Sequence, residues 1–228
     1  LGDGGKESIT GKRKGRILQL TPEVIVNDDL GFLADLAGTL GRAAGRTIEK
    51  DVYALFALNS GAGPTMADGK ALFHVDHNNI DSTSAAPTVT SLDASAQILR
   101  TQKDVGGNDY LDLEPAIWLG PVTKAGAARA VVNSEYDPDA TNKLQRFNIA
   151  RNIVRDVVSS PRLSGNRWYM LADANTAPVF EVAFLDGIRE PQIRQDENFR
   201  TEGVAWRVTH KYGVAAVSYI GAVTNAGA

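Results

Sequence analysis

The sequence predicts an α+β fold, on three observations. Residues 27–59 carry apolar side chains at three- and four-residue steps, the period of an amphipathic helix. Beyond them, short β-branched and aromatic runs separated by Gly-, Pro- and Asn-containing turns fill most of the second half of the chain. No segment repeats another, so helices fall mostly early and strands mostly late.

The elements follow in order. Residues 1–16, "LGDGGKESITGKRKGR", hold five glycines and little apolar content, and are expected to form an arm or loop that has nothing to bury. Residues 17–26, "ILQLTPEVIV", read as a strand, a turn at Thr21-Pro22 and a second extended piece. A helix is expected from about Asp29 to Leu58, capped by Asn27 or Asp28, with Asp29 at the positive end of its dipole. Leu33, Leu36, Ala37, Leu40, Ala44, Ile48, Val52, Leu55 and Phe56 make its apolar face. At 1.5 Å per residue it would be about 45 Å long. Gly38, Gly41 and Gly45 lie within it, each costing up to about 1 kcal/mol against Ala. Two explanations stand: another backbone comes close there, or the helix breaks in two near Gly41–Gly45.

Residues 59–70 are a turn-rich loop leading into "ALFHVDHNN". Residues 91–104 read as a helix capped by Ser91, with Leu92, Ala96 and Leu99 on one face. "YLDLEPAIWLGP" reads as strand, and "VTKAGAARAVVNS" as a short helix started by Pro121. Strands are expected in residues 150–163, 167–173, 178–187 and 191–199. The closing "GVAWRVTHKYGVAAVSYIGAV" reads as two strands about a Tyr212-Gly213 turn.

Composition narrows the function classes. With 228 residues, 43% hydrophobic and 22% charged, the chain has a globular composition. No apolar run approaches the roughly 20 residues that cross a bilayer, and the start has no apolar leader core. The absence of cysteine excludes disulfides, thiol catalysis and thiolate metal sites. A net charge of −3 is unlike a protein built to grip DNA; the local exception is Lys12, Arg13, Lys14 and Arg16.

The first candidate for chemistry is His74-Val-Asp76-His77, which holds two of the three histidines. His-x-x-His spacing occurs at metal sites, but it works best on a helix and with a third ligand. Flanking Gly69 and Asn78-Asn79 mark a loop, in which His74, Asp76 and His77 are expected to satisfy backbone groups. His210 stands near Arg207 and Lys211, poor company for a cation. The acid pairs Asp28-Asp29, Asp137/Asp139 and Asp196-Glu197 sit in polar surroundings, where carboxylates are solvated rather than catalytic. No phosphate-binding Gly-Lys-Ser/Thr loop, dinucleotide fingerprint or serine elbow occurs. The basic run "GKRKGR" could touch phosphates; without interleaved aromatics, a solvated face or pairing with acidic patches on another subunit is the better reading.

Several stretches together carry a family resemblance: "VIVNDDLGFLADLAGTLGRAAGRTIEKDVYALF", "DGKALFHVDHNN", "LEPAIWLGP", "RWYMLAD", "LDG" and "WRVTHKYGVAAVSYIGAVTNAGA". From about residue 24 onward the sequence resembles the major capsid proteins of tailed bacteriophages, with their Hong Kong 97-type shell fold, and within them the Mu-like prophage major head subunit group. The resemblance implies a chain processed from a longer precursor, in keeping with its Leu1 start. It implies that residues 1–28 form an N-terminal arm and extended loop. Residues 29–59 and 177–222 would form a peripheral domain with a spine helix, and 60–176 and 223–228 an axial domain. It implies no enzyme activity and no cofactor. The partners implied are copies of the chain as pentamers and hexamers, portal, scaffold or decoration proteins, and packaged double-stranded DNA held without sequence specificity, with no membrane. The virion capsid, assembled in the host cytoplasm, is the implied location. Lys12, Arg13, Lys14 and Arg16 become candidate inter-subunit contacts. An encapsulin-like compartment shell is the alternative within the fold; a His/Asp metal-dependent hydrolase is the alternative outside it.

Overall fold

A computed structural model describes residues 7–20, 32–138, 146–198 and 203–228. Among them are strands β1 (Lys12–Leu20), β2 (Ile80–Asp81), β3 (Pro115–Gly120), β4 (Asp156–Ser159), β5 (Trp168–Ala172), β6 (Phe180–Phe184), β7 (Gln192–Asn198), β8 (Gly203–Ala216) and β9 (Ala222–Asn225). The α-helices are α1 (Phe32–Gly61), α2 (Val89–Arg100) and α3 (Val122–Asn133). The chain divides into two compact units, a larger one with Tyr53–Glu181 and Ala216–Ala228, and a smaller one with Ser8–Val52 and Val182–Ala215.

The larger unit is built on a five-stranded sheet of order β2-β9-β5-β3-β4. Strands β3 and β5 run antiparallel, as do β5 and β9, while β3–β4 and β2–β9 are parallel. Side chains alternate across a pleated strand, so Trp168 and Met170 of β5 share a face with Trp118 of β3. They pack with Leu92 and Ala96 of α2 and Ala125, Ala128 and Val132 of α3 in one buried cluster. Tyr169 points to the opposite face, where its ring meets Phe56 at 4.8 Å and Phe73 at 5.2 Å. A sheet covered on both faces explains why "AIWLG" and "WYMLA" read as near-continuous apolar runs.

Helix α2 begins at Thr88, not Ser91: Thr88 accepts from the Ser91 N–H while Ser91 accepts from the Thr88 N–H, a reciprocal capping box. The expected face of Leu92, Ala96 and Leu99 is buried. Of residues 150–163 only Asp156–Ser159 is strand; Asn152 is left-handed (φ 55°), and Ala150 and Val154 are spent on the core instead.

The smaller unit has a sheet of order β1-β8-β6, with β7 also paired to β8. Two expectations are corrected here. Lys12–Arg16 is no unstructured arm but the first half of β1, paired antiparallel with Val208–Tyr212. Tyr212-Gly213 is no turn: β8 runs straight through it. A Cβ at Gly213 would lie 2.6 Å from the Thr10 carbonyl oxygen, so the glycine serves a close backbone approach. Helix α1 is continuous through Gly41 and Gly45, and within the subunit a Cβ at either would meet nothing within 4 Å. Helical geometry ends at Leu58, and Asn59 and Ser60 are left-handed. The expected caps Asn27 and Asp28, the Thr21-Pro22 turn and residues 1–6 lie outside the described residues.

Candidate functional site

The histidine loop is held by bonds along its whole length, all within the larger unit. Gly63 (φ +80°) passes so near Leu72 that an added Cβ would sit 2.7 Å from the leucine Cβ, and only glycine suits both constraints. Leu72 and Phe73 are buried beyond it, and a 3-10 turn spans Val75–His77. His77 is buried; its Nδ1 lies 3.0 Å from the Leu72 carbonyl and its Nε2 2.8 Å from Asp68 Oδ2. Its ring stacks on Tyr219 with centroids 4.0 Å apart. Both ring nitrogens therefore lie at hydrogen-bond distance from protein oxygens, so neither is open to a metal. His74 Nδ1 accepts from the Asp76 N–H at 3.2 Å. Asp76 is exposed and pairs with Lys70 at 2.6 Å.

Neighbouring amides complete the loop. Asn79 donates to the Leu72 carbonyl and accepts from the His74 N–H, at 2.8 and 3.0 Å. Gln102 donates to the Asn78 carbonyl at 2.7 Å. Hydrogen bonds from His77 and the Lys70 N–H hold Asp68 below the usual carboxylate range. The hydrogen bond and charge of Lys70 lower Asp76. Among the described residues no group of three or more His, Asp or Glu side chains is arranged to hold a metal ion.

Sequence reasoning missed the buried carboxylate beside this loop. Asp81 accepts from the Thr83 N–H and hydroxyl at 3.0 and 2.7 Å, from Ser95 Oγ at 2.8 Å and from Asn225 Nδ2 at 2.9 Å. Burial opposes its ionisation, but these donors outweigh burial and lower its pKa. This network ties β2 to α2 and β9, and no histidine ring bonds to it among the described residues. Asn225 lies 144 residues from Asp81, and no local signal links them.

The other sequence-marked residues are in the smaller unit. Lys14 and Tyr212 both donate to Asp51 of α1, and Lys14 also lies over the Tyr212 ring. Lys12, Arg13 and Arg16 are exposed. His210 is buried between Phe184 and Tyr212, with neither ring nitrogen hydrogen-bonded. Asp196 is exposed on β7, while Asp28, Asp29 and Asp139 lie outside the described residues. Among the described residues these side chains organise backbone and bury polar groups.

A family model described as phage capsid protein matches residues 6–225. The chain belongs to the phage capsid protein family. Solved structures agree at the level of fold. The structure of Microbacterium phage Oxtober96 is 8% identical with a TM-score of 0.60, covering 96% of this chain and 73% of that one. The head structure of Helicobacter pylori bacteriophage KHP40 is 11% identical with a TM-score of 0.57, covering 95% and 73%. The holo-SrpI encapsulin complex from Synechococcus elongatus is 10% identical with a TM-score of 0.54, covering 94% and 72%. A search of curated proteins found no match by sequence. The α+β architecture is thus the Hong Kong 97-like fold, and the chain is a major capsid protein, a structural component of the bacteriophage capsid.

Proposed function

We propose that many copies of this capsid protein assemble, as pentamers and hexamers, into an icosahedral shell that encloses double-stranded DNA. The observation that carries this reading is the family match over nearly the whole chain, joined to a fold found in a solved phage head. The chain acts by association and not by catalysis. Its assembly takes place in the host cytoplasm, with portal, scaffold or decoration proteins as further partners.

In this reading residues 29–59 and 177–222 form the peripheral domain, 60–176 and 223–228 the axial domain, and 1–28 the arm and extended loop, of which Lys12–Leu20 is paired as β1 into the smaller unit's sheet. The boundaries of the two compact units at Val52/Tyr53, Glu181/Val182 and Ala215/Ala216 support a division of this kind. His74, Asp76 and His77 form a structural loop. Lys12, Arg13 and Arg16 meet neighbouring subunits in this reading, which their exposure supports, whereas Lys14 is turned to Asp51 of its own. A shell needs subunits that stay incomplete until they meet. The smaller unit fits: a cavity of about 300 Å³ remains among Leu40, Ala43, Ala44, Val208 and His210, and Ile48 and Val52 are only half-buried.

Electron microscopy and size-exclusion chromatography of the purified protein test the reading. Icosahedral particles or capsomer rings are expected. A small, discrete oligomer with a stoichiometric metal that is lost in His74→Ala would overturn it. The likeness to SrpI favours a compartment shell as the second reading, and particles filled with protein cargo instead of DNA would select it.

A further inference from the structure

The sheet of the smaller unit has two unlike faces. Register places Lys14, Val208, His210 and Tyr212 on the face that lies against α1. The opposite face carries Arg13 directly across from Lys211, and a second row of Ile17, Arg207 and Arg194. All four cations are exposed, and none has an ion-pair partner among the described residues. On β1, β7 and β8, Asp196 is the one acidic side chain described on this face.

Like charges directly opposite across strands destabilise a sheet. Here there are two such pairs, Arg13/Lys211 and Arg207/Arg194, about 13 Å apart at roughly 3.3 Å per residue. A face shaped by solubility alone would mix its signs. Two opposed cation pairs make sense when an anionic partner offsets their repulsion. Ile17 decides which kind of partner: it is 59% exposed amid the cations. A phosphate backbone would leave Ile17 unmatched, and among the described residues of β1, β7 and β8 the face offers no aromatic side chain on which bases could stack.

The larger unit presents a surface of the complementary kind. After α2, residues 103–112 carry Asp104, Asp109 and Asp112 against the single Lys103. Val105, Tyr110 and Leu111 are exposed among them, at 54%, 61% and 40%. We propose that this acidic turn of a second copy docks on the basic sheet face. Its three carboxylates meet Arg13, Lys211, Arg207 and Arg194, and Tyr110 and Leu111 cover Ile17. An apolar centre inside a rim of paired charges is the usual anatomy of a protein interface. Opposite charges at the rim also steer encounter and set register. The inference rests on the assembly reading above and names a contact that assembly uses.

The test uses the full chain. Arg194→Glu/Arg207→Glu is expected to raise the concentration needed for shell formation by about tenfold or more. Adding Asp109→Arg/Asp112→Arg to the same chain is expected to restore assembly. A neutral version, Arg194→Gln/Arg207→Gln, guards against misfolding: with the repulsion gone the free subunit melts at the same or a higher temperature, yet assembles less well. Shells that form normally from the Glu variant overturn the proposal, and normal shells that lose their DNA assign the face to nucleic acid instead. Lost assembly that the reversed turn does not restore also overturns it. Wild-type protein that never assembles would sink the shell reading itself, whereas these outcomes in shell-forming protein sink only this contact.

Discussion

The two compact units differ in how they are stabilised. In the larger, Trp118, Trp168, Met170, Leu92 and Val223 are fully buried around one sheet, and Asp81, Asn79 and His77 bond polar groups that share the interior, while the Trp118 indole N–H is buried without a partner. In the smaller, Tyr212 is the one buried apolar side chain among the described residues, and His210 is buried without a hydrogen bond. Burial contributes about 25 cal/mol for each Å² of apolar surface removed from water, so the larger unit can hold its shape alone. Among its described residues the smaller shows little such stabilisation. What it lacks must come from neighbours, and a protein that works only in a shell can leave that burial to the interface.

The contrast can be broken by mutation, the largest effect lying in the larger unit. Trp168→Ala removes a side chain with no exposure, whose Nε1 also donates to the Ala85 carbonyl at 3.0 Å. A loss of about 3–5 kcal/mol is expected, read as a collapse of the denaturation midpoint of the free subunit. Asp81→Ala comes next. It leaves the donors of Thr83, Ser95 and Asn225 without their acceptor, at a cost of about 3 kcal/mol. Guanidinium titration checks it, and an unchanged midpoint would show that this network does not hold β2, α2 and β9 together.

Asp51 gives the smallest effect and sharpens the other side of the comparison. Its environment both buries it, which raises its pKa, and supplies donors from Lys14 and Tyr212, which together lower it below the ordinary value of 3.8. A depressed carboxylate stabilises the fold above the unfolded pKa of about 3.9, and that contribution disappears as pH falls through the lower folded value. Asp51→Asn is therefore expected to cost under about 1 kcal/mol at neutral pH, and the gap to wild type should close below about pH 4. Melting curves at several pH values measure it; a gap that persists in acid would remove the carboxylate from the account.

How much of this was legible depended on the range of the interactions. The period of α1 is local, and from Leu40 to Phe56 its face is where the apolar steps place it, half-buried or buried. The start of α2 was displaced by one turn because Thr88 and Ser91 are both good caps, and only the geometry shows that Ser91 occupies the third helical position. Composition hid β1: Lys12–Arg16 forms a strand because β8, nearly two hundred residues away, supplies its partner. Gly213 misled because a glycine that allows close approach and one that makes a turn look alike in sequence. For the histidine loop, residue types and spacing pointed to a loop, but Asp68, Tyr219 and Gln102, which hold it, are fixed only by the fold.

Hydrogen exchange on free and assembled subunits tests the central claim most directly. Amides of β1, β7 and β8 should exchange rapidly in the free subunit and slow by about a hundredfold or more on assembly, while those of β3, β5 and β9 stay protected in both. Equal protection of the two units in the free subunit, with no change on assembly, would contradict the account.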